Sequence, residues 1–222
     1  LTPTIPLNPV LPTSVILGNG TFPEWLDIRQ ILNRYNAALI CADGGSEKAR
    51  ELGLIPQVIV GDLDSITPET LSRFRSAGVE IIHTPDQEDN DLEKCLRLLL
   101  TRGGRQFILA GFTGRRDDQT IATLQIARKY ISRAQFLIYT KTAEMYLLNK
   151  GNWLFETISG QIISLFGFPR ARQVTTAGLQ FPLQAEILSG GSRGLSNVAR
   201  GSVVQISFSG GHLLVVKIQE FL

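Results

Sequence analysis

Histidine and cysteine are scarce in this chain, two of each among 222 residues, and the scarcity removes several kinds of chemistry at once. His83 and His212 are isolated, one at the end of a strand-like run and one in a turn, and no cysteine stands at ligand spacing from either, which argues against a zinc centre. Cys41 and Cys95 sit inside apolar runs and read as reduced core thiols of a cytoplasmic protein rather than as a disulfide. No stretch approaches the roughly 18 uninterrupted apolar residues that a membrane-spanning helix requires, and residues 1–12 lack the basic start of a secretory signal. Neither a Gly-x-Ser-x-Gly elbow nor a Cys–His pairing offers a nucleophile. A basic stripe interleaved with aromatics is also missing, so neither nucleic acid nor membrane is expected as a partner.

What the chain does have is acid, unevenly placed. Between Asp43 and Glu93 lie 12 of the 20 carboxylates but only four of the 22 basic residues, a formal charge of −8 against +10 for the rest of the chain. An acidic lobe repels a phosphate-bearing ligand unless divalent cations intervene, whereas basic residues elsewhere can grip phosphates directly. The acids also fall among glycines at the ends of apolar runs, a context in which a metal-nucleotide site is expected.

The apolar pattern divides the chain. Pro3, Pro6, Pro9 and Pro12 favour an extended arm over residues 1–13. From 14 to 142, strand-like runs at Ser14–Leu17, Ala37–Cys41, Val58–Val60, Glu80–His83, Gln106–Ala110 and Gln135–Tyr139 alternate with helical spacing such as Leu92-Leu96-Leu99. This predicts an α/β domain with a mostly parallel sheet covered on both faces. From 143 to 222 come short runs at Met145–Leu148, Gln161–Phe166, Gln173–Thr176, Val203–Phe208 and Leu213–Ile218, separated by turn residues, which predict a compact all-β domain.

Four motifs fall where the α/β strands end. Asp62 and Asp64 are two apart, so in an extended segment both carboxylates face one side and can share a Mg²⁺ ion, with Leu63 turned inward; a turn and helix cap is the plain alternative. Asp43 precedes two glycines that permit a close approach, and the alternative is a turn aspartate without a ligand. Asp91 opens a helix, where a carboxylate also suits the helix dipole, while Asp86, Glu88 and Asp89 must be solvated or cation-bound to avoid mutual repulsion. Gly111 to Asp118 places Arg115 and Arg116 at a strand-to-helix turn suited to phosphate, or is a glycine turn with surface arginines.

Taken in order, Ala42-Asp43-Gly44-Gly45, Gly61-Asp62-Leu63-Asp64-Ser65-Ile66, Asp86-Gln87 with Asp91-Leu92-Glu93-Lys94, Gly111 to Asp118, Thr175 to Leu183 and Ser196-Asn197 resemble the thiamine pyrophosphokinase family over about residues 14–218. The resemblance implies an N-terminal α/β catalytic domain, a C-terminal β-sandwich and a homodimer that transfers diphosphate from ATP to thiamine with Mg²⁺. It further implies catalytic positions at Asp43, Asp62, Asp64, Asp91 and Arg116, with Asp62, Asp64 and Asp91 toward the metal. Gln87, Arg116 and Asp118 fall on the ATP side, and Phe181, Ser196 and Asn197 on the thiamine side. Departures from the family pattern are Gln180-Phe181 in place of Lys before Tyr or Trp, Asn90 in place of Thr, Gln119 in place of His, and Val198 in place of a polar residue. Rival readings are a diphosphokinase for another alcohol, such as a hydroxymethyl-pterin, and a catalytically silent nucleotide or vitamin sensor.

Overall fold

The computed structural model describes residues 6–8, 10–86 and 88–219. They form two compact units: an α/β unit of residues 10–126 and 138–141, and a β unit of residues 6–8, 127–137 and 142–219. Gln87 and much of the expected N-terminal arm lie outside the described residues. Of that arm, residues 6 and 7 form a bend in which Leu7 is buried.

The α/β unit contains the strands β1 (Thr13–Leu17), β2 (Ala38–Ala42), β3 (Val58–Gly61), β4 (Glu80–His83) and β5 (Gln106–Ala110). They pair in parallel in the order β5-β1-β2-β3-β4. Every residue of β1, β3 and β5 is buried, as expected of inner strands covered on both faces and written in Val, Ile and Leu. The strand β4 ends the row and is the least buried. The helices are α1 (Ile28–Tyr35), α2 (Gly45–Glu51), α3 (Pro68–Ser76), α4 (Asp91–Thr101) and α5 (Asp117–Tyr130). Their starts are written locally: Asp27 accepts from Arg29 N and Gln30 N at α1, Thr67 precedes Pro68 and accepts from Thr70 N at α3, and Asn90 accepts from Leu92 N at α4. Helix α2 begins tight against the end of β1, where a Cβ on Gly45 would stand 2.0 Å from the Leu17 carbonyl oxygen, so only glycine fits.

The strand order places a topological switch at β1. The chain leaves it for β2, β3 and β4 on one side, then returns to β5 on the other. A crevice opens at the carboxyl ends of strands at such a point, and ligands of open α/β sheets bind there.

The division between the units falls within β6 (Gln135–Tyr139) and near the end of α5. The β unit holds β7 (Ala143–Glu156), β8 (Ile162–Ala177), β9 (Glu186–Leu188), β10 (Gly194–Val198) and β11 (Val203–Ile218). β11 lies antiparallel between β7 and β8, and β8 also pairs with β9 and β10. Trp153, Phe155, Ile163, Val174, Ile206 and Phe208 are among the residues of its core.

Two expectations change here. The separate runs Gln161–Phe166 and Gln173–Thr176 are one 16-residue strand, as are Val203–Phe208 and Leu213–Ile218. Gly210 and Gly211, which read as a turn, instead make a bulge: the register of β11 shifts between Phe208 and His212 against β7, and between Gly211 and Leu213 against β8. Gly211 has φ +76°, and a Cβ there would lie 1.9 Å from the Arg170 carbonyl oxygen, so the bulge depends on glycine. His212 consequently lies in β11 and not in a turn, and burial, aided by the positive charge of Arg128, holds its imidazole below the usual pKa.

Candidate functional site

Within the α/β unit, a cavity of about 540 Å³ opens at the carboxyl ends of β1, β2 and β5. Gly18-Asn19-Gly20 after β1, Ala42-Asp43-Gly44 after β2 and Gly111-Phe112-Thr113 after β5 form much of its wall. Ser65, Arg115, Arg116, Gln119 and the start of α4 from Asn90 to Leu92 complete it. It lies at the switch point set by the strand order.

Asp43 is held by its backbone. Its N–H donates to Val60 O at 2.9 Å, and its carbonyl accepts from Ser46 N at 3.0 Å and Ser46 Oγ at 2.8 Å. The residue sits at φ +41°, a left-handed conformation that aspartate tolerates better than most residues. The absence of a side chain on Gly61 lets it come close, since a Cβ there would stand 2.7 Å from Asp43 Cβ. Asp43 is 5% exposed. Its Oδ2 accepts from Ser65 N at 3.2 Å, whereas its Oδ1 is buried with no hydrogen-bond partner among the described residues.

Asp43, Asp62 and Asp64 each offer a carboxylate oxygen, and the three oxygens lie within 4.8 Å of one another. The convergence is real, but it is not reached through an extended segment. β3 stops at Gly61, Leu63 has φ +66° and is half-buried, and the two aspartates come together in a turn in which Asp64 N–H donates to Asp62 Oδ1 at 3.4 Å. Ser65 Oγ donates to Asp64 Oδ1 at 2.9 Å. Burial raises the Asp43 pKa, and the charges of Asp62 and Asp64 add to the rise against the opposing hydrogen bond from Ser65. An all-oxygen set that repels itself and leaves one oxygen buried without a partner suits a hard divalent cation such as Mg²⁺.

Asp91 stands outside that trio, at the first turn of α4 and on the cavity wall. Its Oδ1 faces Lys94 Nζ at 3.5 Å, and Lys94 also donates to Thr84 O at 3.0 Å. Burial raises the Asp91 pKa; Lys94 works against the rise, and the charges of Asp43 and Asp62 support it. Asp86 and Glu88 are exposed, and Asp89 pairs with Arg97, so this acidic run needs no cation.

Arg116 lines the cavity while its guanidinium holds Asp118, Nε to Oδ1 at 3.1 Å and Nη2 to Oδ2 at 2.5 Å, with both side chains exposed. Arg115 donates from Nη1 to Asn19 O at 3.0 Å and Asn19 Oδ1 at 3.4 Å, tying the loop after β5 to the loop after β1. Asn90 and Gln119, both departures from the family pattern, meet each other: Asn90 Nδ2 donates to Gln119 Oε1 at 3.0 Å while Asn90 Oδ1 caps α4.

In the β unit, Phe181 and Asn197 come together. Asn197 Oδ1 accepts from Phe181 N at 3.0 Å and from Val198 N at 3.0 Å, and its Nδ2 donates to Phe181 O at 2.6 Å. The amide is thereby spent on pinning the backbone of Phe181, a residue that is 58% exposed. Ser196 is exposed, with its N–H bound to Ser164 Oγ at 3.0 Å.

Asn19, Ser65 and Thr113 were legible only as members of motifs at strand ends, with no role of their own, and the meeting of Arg115 with Asn19 was not foreseen. Ser65 was within reach as the residue after Asp-x-Asp, but nothing local to Asn19 marks it as facing Arg115.

Comparison with known proteins agrees with the fold and with the order of its two parts. Residues 29–140 match the model for the thiamin pyrophosphokinase catalytic domain, and residues 154–213 match that for the thiamin pyrophosphokinase vitamin B1 binding domain. Thiamine pyrophosphokinase 1 of Oryza sativa subsp. japonica is 26% identical over 197 residues, covering 76% of this chain and 74% of the relative. Thiamine pyrophosphokinase 1 of Arabidopsis thaliana is 26% identical over 237 residues, covering 90% and 88%. The crystal structure of thiamine pyrophosphokinase from Bacillus subtilis superposes with a TM-score of 0.81 at 22% identity, covering 94% of this chain and 100% of that one, a likeness of fold.

Proposed function

The chain belongs to the thiamin pyrophosphokinase family, and from that premise we propose that it transfers the terminal diphosphate of ATP to the hydroxyl of thiamine, with Mg²⁺, giving thiamine diphosphate and AMP. The observation that carries the reading is the buried, unpartnered Oδ1 of Asp43, set with Asp62 and Asp64 beside a cavity at the switch point of the sheet.

Asp43, Asp62 and Asp64 would hold Mg²⁺, which when bound supplies charge neutralisation on the phosphate oxygens. The backbone of the glycine loops after β1 and β5 lets the phosphates come close, and Arg115 and Arg116 supply donors to them. Arg116 exchanges the Asp118 carboxylate for a phosphate, since both accept the same bidentate fork. Asp91, outside the trio and on the cavity wall, takes the proton from the thiamine hydroxyl as it attacks. On the thiamine side, Asn197 fixes the backbone from which the exposed Phe181 ring stacks on the substrate, with Ser196 beside it. The working form is a homodimer in which one chain's aspartates act with the partner subunit's β unit.

Acceptor-dependent AMP release tests the reading. AMP formed only when thiamine is added supports it; AMP formed with a hydroxymethyl-pterin and not with thiamine moves the activity to another alcohol; none with either leaves a binding protein.

The phosphate grip is tested at Arg116. Lysine keeps one charge but cannot form the planar fork, so Arg116→Lys should lower kcat/KM for ATP about tenfold and leave the KM for thiamine unchanged. Steady-state kinetics with each substrate varied in turn measures the split, and an unaltered ATP dependence would make Arg116 a surface residue.

A further inference from the structure

Three carboxylates gathered within 4.8 Å repel one another, and Asp43 reaches the turn carrying the other two through a hydrogen bond from Ser65 N to its Oδ2 at 3.2 Å. Further contacts that hold the turn therefore favour the gathering of the three. The six residues 62–67 join β3 to α3, and their outgoing end is clasped by a residue one helical turn beyond Asp43. Glu47, in the first turn of α2, accepts at Oε1 from Thr67 N at 2.8 Å and Thr67 Oγ1 at 2.8 Å. Its Oε2 accepts from Thr70 Oγ1 at 2.8 Å and Arg50 Nε at 3.1 Å. Thr67 caps α3, and Thr70 is wholly buried in it.

We propose that Glu47 is a positioning residue whose carboxylate clasps the start of α3 and so holds Asp62 and Asp64 against Asp43 before a cation arrives. The inference rests on the metal reading of the trio. Glu47 stays ionised throughout the working range: burial acts to raise its pKa, but the hydrogen bonds from Thr67, Thr70 and Arg50 outweigh it and hold the value at about 2. The clasp and the site are written on the same two segments. Asp43 and Glu47 flank the start of α2, Ser65 and Thr67 flank the end of the acidic turn, and the two pairs of contacts are parallel. Releasing the outer pair removes one of the supports that resist the repulsion, leaving the inner bond and the buried Ile66.

The test is Mn²⁺ binding to the full chain without nucleotide, followed by electron paramagnetic resonance, alongside the Mg²⁺ dependence of turnover. In Glu47→Gln and Glu47→Ala the Mn²⁺ dissociation constant should rise about tenfold, the lower end of what loss of a ligand's supporting partner costs. The Mg²⁺ concentration for half-maximal rate should rise with it, and kcat at saturating Mg²⁺ should stay near the parent's. Arg50→Ala, which leaves the clasp on Thr67 and Thr70 intact, should bind Mn²⁺ as the parent does. Should Glu47→Ala fail to fold, Glu47→Gln and the near-isosteric Thr70→Val give the same readout. A lowered melting temperature with unchanged Mn²⁺ affinity would overturn the proposal, making Glu47 a structural clip alone. A parent chain with no saturable Mn²⁺ binding would overturn the metal reading itself, and the role of Glu47 with it.

Discussion

Asp43→Asn should cut turnover by at least about a hundredfold, the scale on which preorganised charge stabilisation is lost, while leaving the fold no less stable. The two halves of this expectation come from one fact. Burial raises the Asp43 pKa above its value in the unfolded chain, so near neutral pH the ionised carboxylate works against folding, and this penalty fades as the pH falls through the folded-state pKa. An amide removes the penalty: its oxygen can keep the bond from Ser65 N, and its NH₂ can donate to the neighbouring carboxylates in place of the unpartnered Oδ1. Urea unfolding in metal-free buffer should therefore give a midpoint equal to or above the parent's, and the advantage should shrink toward acid pH. Asp62→Asn and Asp64→Asn should match it in lost turnover. A variant at position 43 that kept the parent's rate at limiting Mg²⁺, or that unfolded at markedly lower urea, would show that Asp43 is built for the fold and not for a ligand.

Mixing two inactive chains should restore activity. If each site takes its aspartates from one subunit and its β unit from the partner, Asp62→Asn and Asn197→Ala are complementary lesions. The second strips Phe181 of both bonds to its backbone. After full subunit exchange half the dimers are mixed and one of their two sites is intact, so about a quarter of the parental activity should return. Exchange is verified by differently tagged chains, and AMP release is read before and after. Verified exchange with no rise above the separate mutants would mean that each chain builds its site alone.

The fold was legible wherever one local rule was enough. Continuous Val, Ile and Leu runs closed by glycine marked the inner strands of the α/β unit, whereas the helix caps at Asp27, Thr67 and Asn90 were not picked out, although capping depends on a few neighbouring residues. The β unit was less legible. Gly210-Gly211 is read locally as a break, and only the neighbouring strands, with which the chain on both sides of it pairs, make it a bulge in a 16-residue strand. The short strands Glu186–Leu188 and Gly194–Val198 were missed because neither carries an alternating apolar pattern long enough to count. At the site, Asp43, Asp62 and Asp64 stood out by composition and glycine context. That Asp43 and not Asp91 joins the other two is a matter of how β2 and β3 lie side by side, with Gly61 opposite Asp43. The left-handed turn at Leu63 was likewise hidden, since leucine gives no sign of a positive φ. Glu47 reads as an ordinary helix-surface acid until Thr67 and Thr70 are brought to it.

The two cysteines have a practical consequence for anyone working with this chain at the bench. Cys41 lies in the inner strand β2 and Cys95 in α4, which packs against it. Both are fully shielded, and burial lifts both thiols well above the usual range. Alkylating reagents need an accessible thiolate, so they can act only when the packing around these thiols opens. The pace of native-state labelling then counts those openings, an internal stopwatch for the layer that carries the acidic motifs. In the same way, a cysteine engineered onto the surface would be the one site a maleimide dye reaches while the chain stays folded, with no need to remove the natural pair first.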